Sequence, residues 1–263
     1  MSGARTGVRP ATMNVLAPQS ADGPNRRAVL TREWERLRPD VLALQEVTRE
    51  DVAALADAGR HVVPHPRWSS DGVGAVLAAR RAFGHTVKDT LEVTARTALT
   101  GWCAVVAAEL PFPEPLGVML VVHHKPSRPY GYERAWELQA LVTARLVEEV
   151  VAERAVRHAV VMGDFDASPG AASLRFLKGL QSLDGMSVCF QDVWSAVHPH
   201  DPGPTLHVAS CERVLVRPVR GVQASDHYGL VADLTVPDHT PGRWRNADGP
   251  RPAPGSGPGS AAR

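Results

Sequence analysis

The sequence predicts an α+β fold, with mixed layers of strand and helices packed outside them. Three observations carry this. Short apolar runs, several rich in β-branched residues, recur between turn-forming segments. Two longer stretches place apolar residues at helical spacing. Between those helices, Gly72 to His123 reads as strand after strand with little helix, which disfavours a strictly alternating βαβ sheet.

Taken in order, the first strand is Thr12–Leu16, the apolar "TMNVL". A helix follows, marked by Ala28, Leu30, Trp34 and Leu37. It stops before Pro39, because the residue ahead of a proline is pushed out of the helical region. Val41–Leu44 and Gly74–Ala79 are compact apolar strands, then Trp102–Leu110 and Val118–His123. A second helix runs from about Tyr132 to Arg154, with Leu138, Val142, Leu146 and Val150 on one stripe. Ala159–Met162 is a strand that stops at Gly163, and a shorter helix is expected over Ala171–Leu180. Arg213–Val216 and Leu230–Val236 close the series. Residues 10–236 form the expected domain. Residues 237–263 are dense in Pro, Gly and Ser without apolar periodicity, and predict a disordered tail.

Composition narrows the function. Of 263 residues, 44% are hydrophobic, enough for a sizeable core. Lys+Arg 29 against Asp+Glu 28 leaves a net charge of +1, so a polyanion could be held only by a local patch. Three widely spaced cysteines suggest neither a disulfide framework nor a metal finger, and favour a reducing compartment. The N-terminus has no apolar signal core and no run approaches a membrane span. A soluble, cytoplasmic protein without membrane insertion is the expectation, and no obligate protein partner is evident.

The chemistry concentrates where strands end. "TMNVL" carries Asn14, "DVLALQEV" carries Glu46, and "AVVMGDFDASPG" carries Asp164 and Asp166. "QASDHYGLVADL" sets Asp226 and His227 ahead of the last strand. Each has an ordinary reading by itself: Asn14 as a turn or cap, Glu46 as a surface acid, Asp164 as an Asx turn, His227 as a satisfied rim histidine. Together, several carboxylates on neighbouring strand ends repel one another, and a divalent cation resolves that. Mg²⁺ suits such a site, since it takes oxygen ligands, keeps waters and is held by one or two carboxylates plus a substrate phosphate.

In this order, "NVL", "LALQEV", "VVHHKP", "GDFDA" and "SDH" resemble the endonuclease/exonuclease/phosphatase superfamily of metal-dependent phosphodiesterases, over roughly Thr12 to Leu234. The resemblance implies a four-layer α/β sandwich of two packed mixed β-sheets flanked by helices, with the site at one rim. It implies Glu46 as the main metal ligand, helped by Asn14 and Asp226, with Mg²⁺ or alternatively Mn²⁺. It implies that Asp164 orients or deprotonates the attacking water and that His227 contacts the scissile phosphate. His124 would be a second imidazole near it. Arg128, Tyr130, Tyr132 and Arg134 follow His124, where they could contact a phosphate-ester substrate, nucleic acid included; a solvated loop opening a helix fits them equally.

Two departures stand out. The family usually has Asn where this chain has Asp166, and an ionised carboxylate can only accept a hydrogen bond. Asp166 must therefore stay protonated, bind metal or turn away; metal binding or a supporting role is the expectation. Members also carry an "R-I-D-Y" strand whose Asp holds the final histidine. None is found here, so a strand near the C-terminal end is expected to be missing, unless "CERVLV", with Glu212 and Arg213, substitutes. Two rival functions follow. One is an impaired member of the same fold acting as a binding module. The other is an Asp-nucleophile phosphatase of haloacid-dehalogenase type, with Asp164 as nucleophile and Asp166 as acid/base. That chemistry needs a later Lys and acid pair, which are not found at suitable spacing.

Overall fold

The computed structural model describes residues 7–20, 22–92, 103–127, 132–197 and 207–235. The strands are β1 (Gly7–Val8), β2 (Pro10–Asn14), β3 (Val41–Val47), β4 (His61–Pro64), β5 (Gly74–Ala79), β6 (Thr86–Thr90), β7 (Ala104–Pro111), β8 (Val118–Lys125), β9 (His158–Met162), β10 (His207–Val214) and β11 (Gly229–Thr235). The helices are α1 (Gly23–Leu37), α2 (Arg49–Asp57), α3 (Glu133–Glu153), α4 (Ala172–Leu177) and α5 (Val193–Val197).

The strands form two mixed sheets. A seven-stranded sheet runs β1-β11-β2-β3-β5-β4, with β10 also on β11; a four-stranded sheet runs β6-β7-β8-β9. Val41, Ala43 and Leu77 of the first meet Val106, Ala108, Met119 and Val121 of the second in a shared core. The alternate residues face outward onto helices. Leu42, Leu44 and Val76 pack under Val29, Leu30 and Trp34 of α1. Val105, Leu120 and Val122 pack under Leu146, Val147 and Val150 of α3. The result is helix, sheet, sheet, helix: the four-layer sandwich. Side chains alternate across a strand, so each sheet buries both faces and its central strands read as unbroken apolar runs.

Two parallel pairings build the rim. β2 and β3 run together up to Asn14↔Gln45, and β8 and β9 up to His123↔Met162. Their carboxyl ends therefore deliver the polar residues that follow each apolar run to the ends of neighbouring strands. Gly163, just beyond β9, is required there: its φ is 149° and a Cβ would run into the His124 carbonyl.

The strand expected to be missing between "GDFDA" and "SDH" is present. β10 pairs antiparallel with β11 from Val214↔Gly229 to His207↔Thr235. The sequence reading placed a shorter run at Arg213–Val216, because "HVASCE" lacks continuous hydrophobicity. α2 is also missing from the helices that apolar spacing predicts. It buries no residue, and its start is set by a capping box between Thr48 and Asp51 rather than by an apolar stripe. β4 and β6 end their sheets, and short half-exposed edge strands carry little pattern. The tail expected to be disordered, residues 237–263, lies outside the described residues, as do Arg128 and Tyr130. Among the described residues no helix is long and apolar enough to cross a membrane.

Candidate active site

Asn14 is the hub of the rim. Buried at the end of β2, its Nδ2 donates to Glu46 Oε1 and to Asp164 Oδ2, both at 3.0 Å. One amide thus joins two acids 118 positions apart in the chain. Its own Oδ1 accepts from the Leu16 backbone N–H at 3.0 Å, and its carbonyl accepts from Ser225 Oγ at 2.8 Å. Ser225 Oγ also accepts from the His227 backbone N–H at 3.1 Å and lies 3.2 Å from Asp226 Oδ1. The "SDH" turn is pinned to the same strand end.

Glu46 reaches this position through a backbone irregularity. The β3–β5 register shifts between Gln45 and Val47, and Glu46 has φ 61°. A bulge re-aims a side chain that regular alternation would turn onto the helical layer, and a non-glycine residue held at positive φ is a mark of functional sites. Glu46 Oε2 accepts from the Ala17 backbone N–H at 3.0 Å. The 15–20 loop behind it is clamped by Arg26 of α1. That buried guanidinium donates to the carbonyls of Val15 (3.0 Å), Leu16 (2.9 Å), Ala17 (3.0 Å) and Ser20 (3.4 Å). The loop therefore turns its carbonyls to Arg26 and two amides to the site.

Lys125 is the residue that sequence reading missed. Its Nζ lies 3.3 Å from Asp164 Oδ2 and is also paired with Asp166, and its side chain is only 3% exposed. This answers why two carboxylates can follow one buried strand: a buried ammonium stands between them. The signal was a lysine ending an apolar strand in a chain where lysines are few. The two acids respond differently. Burial pushes Asp164 up, but Lys125, Asn14, His227 and the Asp166 N–H together outweigh it and hold it below its ordinary value. For Asp166, burial and the neighbouring Asp164 prevail over Lys125 and raise it. His227 bears electrostatically on both acids and is part-exposed at the mouth.

The remaining expected residues fall as follows. Asp226 is exposed and lies 3.8 Å from His227 Nε2. Glu212 on β10 is exposed and in register with Val231, so it does not take over the histidine-holding role considered for it. His124 departs from its expected place. Along β8, Met119 and Val121 face the opposite sheet, while Leu120 and Val122 face α3. Period-two alternation puts His124 on the α3 side, buried, with Nδ1 2.8 Å from Thr143 Oγ1 and its ring 5.2 Å from Phe165. It is His123 that faces the inter-sheet space, with Nε2 2.7 Å from Gln45 Nε2 and its ring 4.4 Å from His65. Both are kept neutral: burial lowers His124 to about 3 and His123 well below its usual value. Tyr132 is half-exposed before α3, and Arg134 pairs on the helix surface with Glu137 at 3.4 Å.

The donor set fits a hard divalent cation. Glu46, Asp164 and Asp226 offer carboxylate oxygens, and each Glu46 oxygen accepts a single N–H. Among the described residues no three His, Cys, Asp or Glu close around one point.

The two packed mixed sheets make a four-layer sandwich, not the Rossmann-like sheet of an Asp-nucleophile phosphatase. The chain belongs to the Endonuclease/Exonuclease/phosphatase family, whose model matches residues 11–257. Among solved structures it is similar to humanized D. rerio TDP2, at 15% identity and TM-score 0.68, covering 88% of this chain and 100% of that one. It is similar to the human Nocturnin catalytic domain, at 22% identity and TM-score 0.66, covering 88% and 94%. It is also similar to an endonuclease/exonuclease/phosphatase from Bacteroides vulgatus, at 19% identity and TM-score 0.68, covering 89% and 100%. No curated protein sequence matches. The family supports a hydrolase of phosphodiesterase or nuclease type.

Proposed function

We propose that this protein is a divalent-cation-dependent phosphodiesterase that attacks a phosphate ester with water. The observation that carries this reading is the Asn14 amide, which holds Glu46 and Asp164 at one rim beside His227. Glu46 would hold Mg²⁺, with Asp226 and the Asn14 region alongside. When bound, the cation supplies charge to the phosphate oxygens. Asp164, kept ionised at neutral pH, accepts a proton from the attacking water or orients it. His227 donates to the phosphate as charge develops. Asp166 and Lys125 form an internal ion pair, so the position usually occupied by a neutral Asn is close to neutral here. Arg213 lies between the rings of Trp194 (5.0 Å) and Tyr228 (5.2 Å), adjacent in the chain to His227. That planar cationic rim suits an ester bearing a flat group. A D. rerio TDP2 structure with this fold holds a single-strand DNA product, which motivates nucleic acid as one substrate to try.

A second reading is an impaired member that binds without turnover. Lys125 already pairs with both aspartates, and no β10 carboxylate holds His227, which favours it. The test is a screen of plasmid, single-stranded oligonucleotide, nitrophenyl phosphodiester and monoester, with and without Mg²⁺, repeated with Glu46→Ala. Metal-dependent diester cleavage lost in Glu46→Ala supports the enzyme. Calorimetric Mg²⁺ binding with no turnover on any substrate supports the binding module and defeats the enzyme.

A further inference from the structure

A cavity of about 680 Å³ lies on the opposite side of the 15–20 loop from the catalytic rim, between α1 and α2. Its size falls within the range of roughly 300–1,000 Å³ typical of small-molecule sites. Leu30, Trp34, Leu44 and Leu55 give it an apolar wall. Arg60 and Arg80 also line it, side by side. Arg60 Nη1 and Arg80 Nε donate to the same acceptor, the Pro39 carbonyl, at 3.3 and 3.1 Å. Among the described residues neither makes an ion pair with a carboxylate. Burial, and then the like charge of Arg80, lower the Arg60 guanidinium to about 10, against the opposing pull of the Asp40 carboxylate. Two further arginines line the cavity, but both are engaged: Arg26 holds the loop carbonyls and Arg27 pairs with Asp51 at 2.6 Å. Of the acids on its walls, Asp51 is thereby neutralised and Glu35 is exposed.

Arg80 is exposed and Arg60 part-buried, so the two guanidiniums form a solvent-reachable cationic edge beside the apolar wall. A carboxylate can accept from both guanidiniums at once, and such charge-assisted bonds are among the stronger ones. We propose that this cavity is a binding site for an amphipathic monocarboxylate of the medium-chain fatty-acid type, its head between Arg60 and Arg80 and its apolar chain along Leu30, Trp34 and Leu55. The site is separate from the phosphodiesterase reading and stands or falls without it.

The test is calorimetric titration of the full chain with decanoate, with decanol and decyltrimethylammonium as neutral and cationic counterparts, all kept below micelle formation. Decanoate is expected to bind at one site, with decanol at least tenfold weaker and the cation not at all. Arg60→Gln/Arg80→Gln is expected to weaken decanoate at least tenfold, about 1.4 kcal/mol, while leaving decanol unchanged. Because this variant removes a repulsion, its melting temperature should not fall. Leu55→Trp, which fills the cavity, should abolish binding of both ligands, and serves if the double variant fails to fold. Equal affinity for decanoate and decanol, undiminished binding in either variant, or no binding of decanoate overturns the proposal.

Discussion

Replacing Lys125 with Met removes the buried ammonium paired with both Asp164 and Asp166 while keeping an unbranched side chain of similar length. The magnitude turns on burial. Lys125 is 3% exposed, Asp164 13% and Asp166 12%, so the surface regime of about 0–1 kcal/mol does not apply. Breaking a buried pair by deleting one partner leaves an uncompensated charge and costs about 3–5 kcal/mol. Here two carboxylates would be left facing each other. Lys125→Met is therefore expected to lose about 3–5 kcal/mol in urea unfolding at neutral pH with a chelator present. Adding Asp166→Asn to it removes one stranded carboxylate and should return about 1–3 kcal/mol, measurable as the coupling term of a double-mutant cycle. Saturating Mg²⁺, if the site takes it, should stabilise the variant further, by about 2.7 kcal/mol at a hundredfold excess over Kd. A loss below about 1 kcal/mol, or a double variant no more stable than Lys125→Met, would refute the ion pair as the device that lets two acids follow β9.

Three further outcomes are expected. Asp166→Asn by itself leaves Lys125 with Asp164, so stability should change by less than about 1 kcal/mol and any diesterase activity should persist; an inactive variant would give Asp166 a direct role. Arg26→Lys keeps the charge but not the fork that reaches four carbonyls, so Mg²⁺ affinity by calorimetry and kcat should both fall, the latter by about tenfold to a hundredfold. Unchanged metal affinity would reduce Arg26 to a packing residue. The third concerns acid. His65 and His124 are lowered to about 3 and His123 well below its normal 6.5, all chiefly by burial. A base depressed in the folded state contributes stability that is present above 6.5 and lost as pH falls toward the folded value. At pH 5 His65 and His124 each cost about 2 kcal/mol, about 4 together, with His123 acting in the same direction, a large part of a typical 5–15. Denaturant unfolding at about pH 7.5 and about pH 5 measures this directly, and a difference under about 2 kcal/mol would sink it.

How far the sequence reached follows from the physics of each feature. The buried strands were legible because both sheets are covered on both faces, which turns β3, β5, β7 and β8 into apolar runs that any pass along the chain detects. Asn14, Glu46, Asp164 and His227 were legible because polar residues at the ends of such runs are costly unless they do something. α2, β4 and β6 were not, since the apolar residues they pack against the core, such as Val52, Leu55, Val62 and Val87, are few and only partly buried. β10 was doubted because the expected Asp was absent, yet its pairing with β11 depends on backbone hydrogen bonds that do not require that side chain.

By itself, then, the amino-acid order determined the two-layer core, the family resemblance and the acids and imidazole of the rim. Only the tertiary structure decided three things. It chose between His123 and His124, because two identical neighbours carry no phase and only the packed neighbours of β8 show which faces α3. It turned Glu46 into the rim through a bulge that local propensity does not encode. It placed Lys125 between two aspartates some forty positions away, because electrostatic partners are chosen by the crossover that sets β9 beside β8, and the fold closes that distance only once both sheets are packed.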